Sequence, residues 1–192
     1  EAKYEITVKA NSATATYDGK EHEAVGVETY EFTVEGNSYT VSGLSTEDPK
    51  QKDAGSYTNN ITGTPVVTDK EGNVVTSEFE VKTENGSLEI GKAAVTLKSA
   101  TLSKKYDGNA LVNGDTALEI ESGFAEGEGA TYNFTGSQTV VGSSANAFSY
   151  ELNGNTNIDN YEISKQEGTL TVTNREAKYE ITVKANSATA TY

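Results

Sequence analysis

Apolar and polar residues alternate with a period of two along most of this chain. Tyr4, Ile6, Val8 and Ala10 fall on one face, and Glu5, Thr7 and Lys9 on the other, the pattern of a half-buried strand. Ala13, Ala15 and Tyr17 continue it against Thr14 and Thr16. The same alternation predicts strands at Tyr30–Val34, Tyr39–Val41, Tyr57–Ile61, Val66-Val67, Val74-Val75, Phe79–Val81 and Leu88–Ile90. Between them, Asp18-Gly19, Glu35-Gly36-Asn37, Lys70-Glu71-Gly72-Asn73 and Asn85-Gly86 predict tight turns, because Gly reaches positive φ without a Cβ clash and Asn or Asp tolerates it. Only Ser45–Ala54 has a helix-like composition. Its Pro49 and short length predict a loop or a single helical turn.

From Lys92 the pattern starts again in diverged form. Lys3, Ile6, Val8 and Tyr17-Asp18-Gly19 recur at a shift of 89 as Lys92, Val95, Leu97 and Tyr106-Asp107-Gly108. The tails also match: Phe79, Val81, Gly86, Leu88 and Ile90 fall on Tyr161, Ile163, Gly168, Leu170 and Val172. The first 17 residues then return letter for letter at 176–192. An identity of that length marks a tandem array with a period of 175 (1 to 176). The expected organisation is a module at 1–91, a second at 92–175, and the start of the next copy at 176–192. The first departs from the second between Thr64 and Ser77, where an inserted hairpin is expected.

About seven strands per module, with turn signals every 8–12 residues or so, predict an all-β fold. The expectation is two tandem antiparallel β-sandwich (Ig-like) modules end to end. A β-grasp-like module, with 45–54 as its helix, is the alternative. The amphipathic helices of a parallel α/β fold are missing from the pattern.

Charge sharpens the functional reading. The chain carries 29 acidic and 15 basic residues, a net of −14. That disfavours nucleic acid and anionic membranes, whose phosphates need clustered Lys and Arg. The first module holds 17 of the acids against 7 bases, the second 10 against 6. Cysteine is absent, so disulfides and thiolate chemistry are excluded. No stretch approaches the roughly 18 apolar residues of a membrane span.

The passages ATYDGKEH, KKYDGNAL, DAGSYTNNITG and GSQTVVGSSANAFSYELNGNTNIDNYEISKQEGTLTVTN resemble the tandem MBG/YDG-type repeats of bacterial surface proteins, best known from cell-wall-anchored adhesins of Gram-positive bacteria. The resemblance spans essentially the whole chain. It rests on a Tyr-Asp-Gly turn early in each module and a Gly-x-Leu-x-(Ile or Val) ending. It implies an extracellular, cell-surface, rod-forming β protein that serves as a stalk or adhesive segment. It carries no catalytic motif.

Candidate chemistry is sparse. His22 is the only His and stands where the second module has Leu111, so any His-based catalysis must pass through it. Glu126 with Glu128, and Glu21 with Glu23, are carboxylate pairs that chance explains in so acidic a chain. Asn153, Asn155, Asn157, Asp159 and Asn160 form an oxygen-rich loop, but with one carboxylate it suits turns better than Ca²⁺. Lys98 and Asn174 are the candidate pair for an isopeptide crosslink. Tyr4, Tyr17, Tyr30, Tyr39, Tyr106 and Tyr132 fall on the apolar parity and are expected in the core. No residue set reads as catalytic, cofactor-binding or metal-binding. The expected function is a stalk or spacer whose partners are neighbouring modules. The alternative is a host glycan- or protein-binding module centred on the acidic first module and the 45–56 loop.

Overall fold

The computed structural model describes residues 3–178 and 180–192, and among them every extended element is a strand, with only two short 3₁₀ turns at Thr76–Glu78 and Ile158–Asn160. The protein is all-β. Residues 45–54 form no helix, which removes the one helix a β-grasp arrangement required. The sheets are small and numerous, each of two or three strands.

Contacts divide the chain into two compact units, Glu1–Thr96 with Ser122–Thr131 and Glu151–Ser164, and Leu97–Glu121 with Tyr132–Tyr150 and Lys165–Tyr192. In the first unit, Ile6, Val8, Val41, Val67 and Phe79 form a buried cluster, with Tyr30, Phe32, Val34, Tyr39 and Leu44 packed against it. In the second, Leu97, Ala100, Phe148, Leu170 and Val172 are buried, and Phe148 stacks against Tyr132 and Phe134 at 6.3 and 5.7 Å. Full burial of such a side chain stabilises by about 1.5–3 kcal/mol.

The expected purely antiparallel pairing is corrected by the terminal strands. Tyr4–Lys9 pairs in parallel with Phe79–Glu84, and Ala13–Thr16 pairs in parallel with Gly86–Gly91. In the second half, Leu102–Lys105 runs parallel to Thr169–Thr173. Period-two alternation says which face is buried and nothing about strand direction. The inner strands are antiparallel: Asn37–Thr46 pairs with Glu31–Val34 and Ile61–Asp69, and Gly55–Asn59 with Gly86–Gly91.

Asn85-Gly86 is also corrected, from a hairpin turn to a crossover. The strands on either side of it do not pair with each other; they belong to different sheets. Residues 4–16 and 79–91 run side by side and change sheets together, one at Ala10–Ser12 and the other at Asn85, a corner of the kind that joins stacked sheets. A Cβ on Gly86 would lie 2.2 Å from the Asn11 carbonyl oxygen, and one on Gly168 would lie 2.4 Å from those of Ser99 and Ala100. Glycine opens both Gly-x-Leu-x-(Ile or Val) motifs because two backbones touch there, not because the backbone needs positive φ.

Other turns follow the sequence. Glu35 and Gly36 have φ of 49° and 80°, which makes the 31–40 hairpin a two-residue type I′ turn. The departure near Thr64–Ser77 is a turn at Asp69–Asn73, where Asp69 N–H donates to the Asn73 carbonyl and Thr68 bridges Val74. Of the six tyrosines expected inside, Tyr17 is buried, Tyr30, Tyr39, Tyr106 and Tyr132 are half-buried, and Tyr4 is exposed. Tyr4 sits on an edge strand and turns its hydroxyl out to Glu35, 2.8 Å away.

Candidate functional site around Tyr17 and Glu128

A buried polar cluster in the first unit begins at the Tyr-Asp-Gly turn. Ala13–Thr16 delivers Tyr17 to the end of its ladder, where its N–H donates to the Gly91 carbonyl at 2.8 Å. Asp18 then reverses the chain: its Oδ1 accepts from Lys20 N–H and faces His22 Nε2, both at 2.9 Å. The Lys20 amide and the His22 ring hold this carboxyl below its usual range. The turn locks Tyr17 inward, with 4% of its surface exposed.

Tyr17 meets Tyr161 edge-on, ring centres 5.3 Å apart, and Tyr161 meets Phe124 at the same distance. Both tyrosine hydroxyls donate to one carboxylate: Tyr17 to Glu128 Oε1 at 2.5 Å and Tyr161 to Oε2 at 2.8 Å. The Glu128 side chain is only 6% exposed, and Lys52 Nζ stands 4.0 Å from it. Two hydroxyl donors thus replace the water that this carboxylate loses. Tyr161 Oη also accepts from the Ala125 N–H at 3.0 Å. Burial, then the Glu128 carboxylate, pushes the Tyr17 hydroxyl far above its ordinary pKa. Tyr161 is raised by burial and Glu128, against the opposing Ala125 amide.

Asn160 completes the cluster. It is 1% exposed; its Oδ1 accepts from Ala54 N–H and its Nδ2 donates to Asp53 Oδ1, both at 2.8 Å. The cluster therefore ties together the Tyr-Asp-Gly turn, the 52–54 segment, the 124–129 turn and the start of Tyr161–Gln166. Glu128 and both hydroxyls are already hydrogen-bonded to one another, and the tyrosines are held protonated. The arrangement closes a packing joint and presents no free base or nucleophile.

The remaining sequence candidates are dispersed. His22 pairs with Asp18 at the surface, side chain 27% exposed. Glu21 and Glu23 share Lys50 at 3.5 and 3.9 Å. Glu126 is exposed while Glu128 turns inward, so that pair faces no common cleft. In the Asn-rich loop, Asn157 Oδ1 accepts from Asp159 N–H, Asn155 Nδ2 donates to the Gly127 carbonyl, and Asn160 is held as above. These are turn bonds. No group of three or more His, Asp or Glu able to hold a metal occurs among the described residues. Lys98 donates to Glu119 at 2.8 Å and Asn174 is exposed, an arrangement that buries neither end of the proposed crosslink. In the 45–56 loop, Asp48 accepts from Gly26 N–H and the Thr46 hydroxyl. A shallow depression of 390 Å³ lies over the 31–40 hairpin, where Phe32 and Tyr39 meet Glu31, Ser38 and Lys70; none of its lining comes from the 45–56 loop.

Sequence reasoning missed Glu128 as a partner of Tyr17, and it missed two fully buried asparagines, Asn59 and Asn146. A signal for the asparagines was present. Gly55-Ser56-x-x-Asn59 recurs as Gly142-Ser143-x-x-Asn146 at a shift of 87 (59 to 146). Glu128 had none, because its tyrosine partners lie 111 and 33 residues away.

Comparison of the chain with family models, with curated proteins and with solved structures returned no match.

Proposed function

We propose that this chain is a stalk repeat of a bacterial cell-surface adhesin: a structural spacer of tandem β-sandwich modules, residues 1–91 and 92–175, with 176–192 opening the next copy. The observation that carries this reading is the parallel pairing of the terminal strands. Tyr4 lies opposite Phe79 and Thr16 opposite Gly91, so the chain enters at one end of the ladder and leaves at the other. A module built this way extends an array with every copy instead of doubling back. The strands Tyr4–Lys9 and Ala13–Thr16, 6 and 4 residues long, give about 33 Å of strand at about 3.3 Å per residue.

The verbatim repeat supports the same reading, because identical copies can be gained or lost to change length, and stability in such arrays is a sum of module and neighbour terms. The Tyr17–Glu128–Tyr161 joint supports it too, since its polar groups are spent internally. Recombinant arrays of one, two and four 175-residue periods test the proposal by small-angle scattering. The maximum dimension is expected to grow in proportion to copy number; growth no faster than the cube root of mass would refute a spacer.

The depression beside Phe32 and Tyr39 favours a second reading, a host glycan- or protein-binding module. Binding on a glycan or host-matrix array that Tyr39→Ala abolishes would place the activity there.

A further inference from the structure

The chain contains three Asn-Gly steps, Asn85-Gly86, Asn113-Gly114 and Asn153-Gly154. Asparagine before glycine is chemically labile, because the next amide nitrogen can reach the side-chain carbonyl carbon and no Cβ blocks its approach. The fold treats the three steps differently.

Asn85 lies at the surface, but its amide is held at both ends. Its Oδ1 accepts from the Ile61 N–H and its Nδ2 donates to Asn60 Oδ1, both at 2.9 Å. Gly86 is buried, opposite Asn59 in the ladder and pressed against the Asn11 carbonyl. Asn113 is 2% exposed; its Nδ2 donates to the Thr116 carbonyl at 2.5 Å and its Oδ1 accepts from Asn146 Nδ2 at 2.7 Å. Asn153 and Gly154 are both exposed. Among the described residues, no hydrogen bond engages the Asn153 side chain or the Gly154 N–H. A Cβ on Gly154 would meet nothing within 4 Å, so the backbone there has room to move.

We propose that Asn153 is a site of spontaneous deamidation through a cyclic imide, and that the folded chain confines the reaction to this Asn-Gly step. The Gly154 nitrogen loses its proton to solvent and attacks Asn153 Cγ. The new C–N bond closes a succinimide ring, and the Cγ–Nδ2 bond breaks to release ammonia. Water then opens the imide at either carbonyl and leaves aspartate or isoaspartate, so that amide plus water becomes carboxylate plus ammonium. An Asp-Gly step reaches the same imide only by losing water from the protonated acid. The partners of Asp18 and Asp107 hold both carboxyls below their usual range.

The loop that reacts also seats Glu128. Asn153 N–H donates to the Gly129 carbonyl, and the Asn153 carbonyl accepts from Thr156 N–H, both at 2.9 Å. Thr156 Oγ1 accepts from Gly129 N–H at 2.9 Å, and Asn155 Nδ2 donates to the Gly127 carbonyl at 2.8 Å. Isoaspartate routes the main chain through the former side chain and displaces the carbonyl that Thr156 uses. Conversion therefore loosens the turn that carries Glu128. The inference is independent of the stalk reading.

The test is to age the full chain at mildly alkaline pH and map its peptides with isoaspartate detection. Asn153 is expected to gain about 1 Da and to yield both isomers. Asn85 and Asn113 should convert at least about tenfold more slowly, since each must first release two hydrogen bonds. In urea the three steps should react at similar rates. Gly154→Ala, which the open backbone accommodates, should slow conversion at Asn153. The isoaspartate fraction should melt at a lower temperature than fresh protein. Conversion of Asn153 no faster than the other two, or to aspartate alone, would overturn the proposal. An unchanged rate in Gly154→Ala would do the same, as would the folded-state ranking persisting in urea. Equal melting of the converted and fresh chains would overturn the link to Glu128.

Discussion

Asn59 and Asn146 occupy the same place in the two halves, each beside the crossover glycine and each fully buried, yet they are satisfied differently. Asn59 Nδ2 donates to the Asn11 carbonyl at 3.1 Å, and its Oδ1 accepts from Asp48 N–H at 3.0 Å. Asp48 can aim that N–H because its backbone adopts φ of 52°. Asn146 Nδ2 donates to the Ala100 carbonyl and to Asn113 Oδ1 at 2.9 and 2.7 Å, but its own Oδ1 has no donor. The second half compensates on the backbone side. Ser99, where the first half has Ala10, donates to the Asn146 carbonyl and accepts from Gly168 N–H. The difference teaches that what the corner requires is a side chain that pins the crossing backbone from inside. Which neighbours satisfy the rest can drift.

The largest expected effect would make the halves look alike. Gly86→Ala and Gly168→Ala each drive a Cβ into backbone carbonyls that cannot retreat without breaking a ladder. Each should cost about 3 kcal/mol or more, read as a drop in urea midpoint. A cost under about 1 kcal/mol at either site would show that the close approach is not required there.

Next, the asparagines should separate the halves. Asn59→Ala orphans the Asp48 amide and the Asn11 carbonyl, at about 1–3 kcal/mol per group. Asn146→Ala starts from a side chain already lacking one bond and should cost about 1 kcal/mol less. Ser99→Ala should cost about 1–2 kcal/mol by releasing the Gly168 amide. Equal losses for Asn59→Ala and Asn146→Ala would remove the distinction drawn between the two sites.

The smallest effect concerns the joint. Tyr17→Phe removes one of two donors to Glu128 and should cost about 1.5 kcal/mol at neutral pH. Its pH dependence gives the sharper reading. The folded-state pKa of Tyr17 is raised above the ordinary 10.0. Its contribution is therefore fully present below pH 10 and lost as pH climbs from there toward the folded value. Thermal unfolding of the native chain should lose stability above pH 10 more steeply than that of Tyr17→Phe; parallel curves would contradict the buried-hydroxyl account.

Much of the fold was legible because it depends on local pattern. Alternation located Tyr4–Lys9 to within a residue and the start of Phe79–Glu84, whose end runs three residues past the expected Val81, since burial of one face dictates it wherever the strand pairs. Glu35-Gly36 announced a reversal because its φ angles are local. A shift of 82 (88 to 170) aligned Leu88 with Leu170 and Gly86 with Gly168, all four equivalently placed in the structure. Pairing direction was not legible, because a period of two reads the same forwards and backwards. Nor was the role of Asn85-Gly86, whose glycine answers to a carbonyl 75 residues earlier in the chain. Composition made Glu128 one acid among 29; only the arrival of two tyrosine hydroxyls made it a buried one. The sequence by itself thus determined where strands and reversals lie and that the pattern repeats, since those follow from each residue's immediate neighbours. The tertiary structure alone decided strand direction, the corner and the polar joints, since each depends on groups that only folding brings into contact.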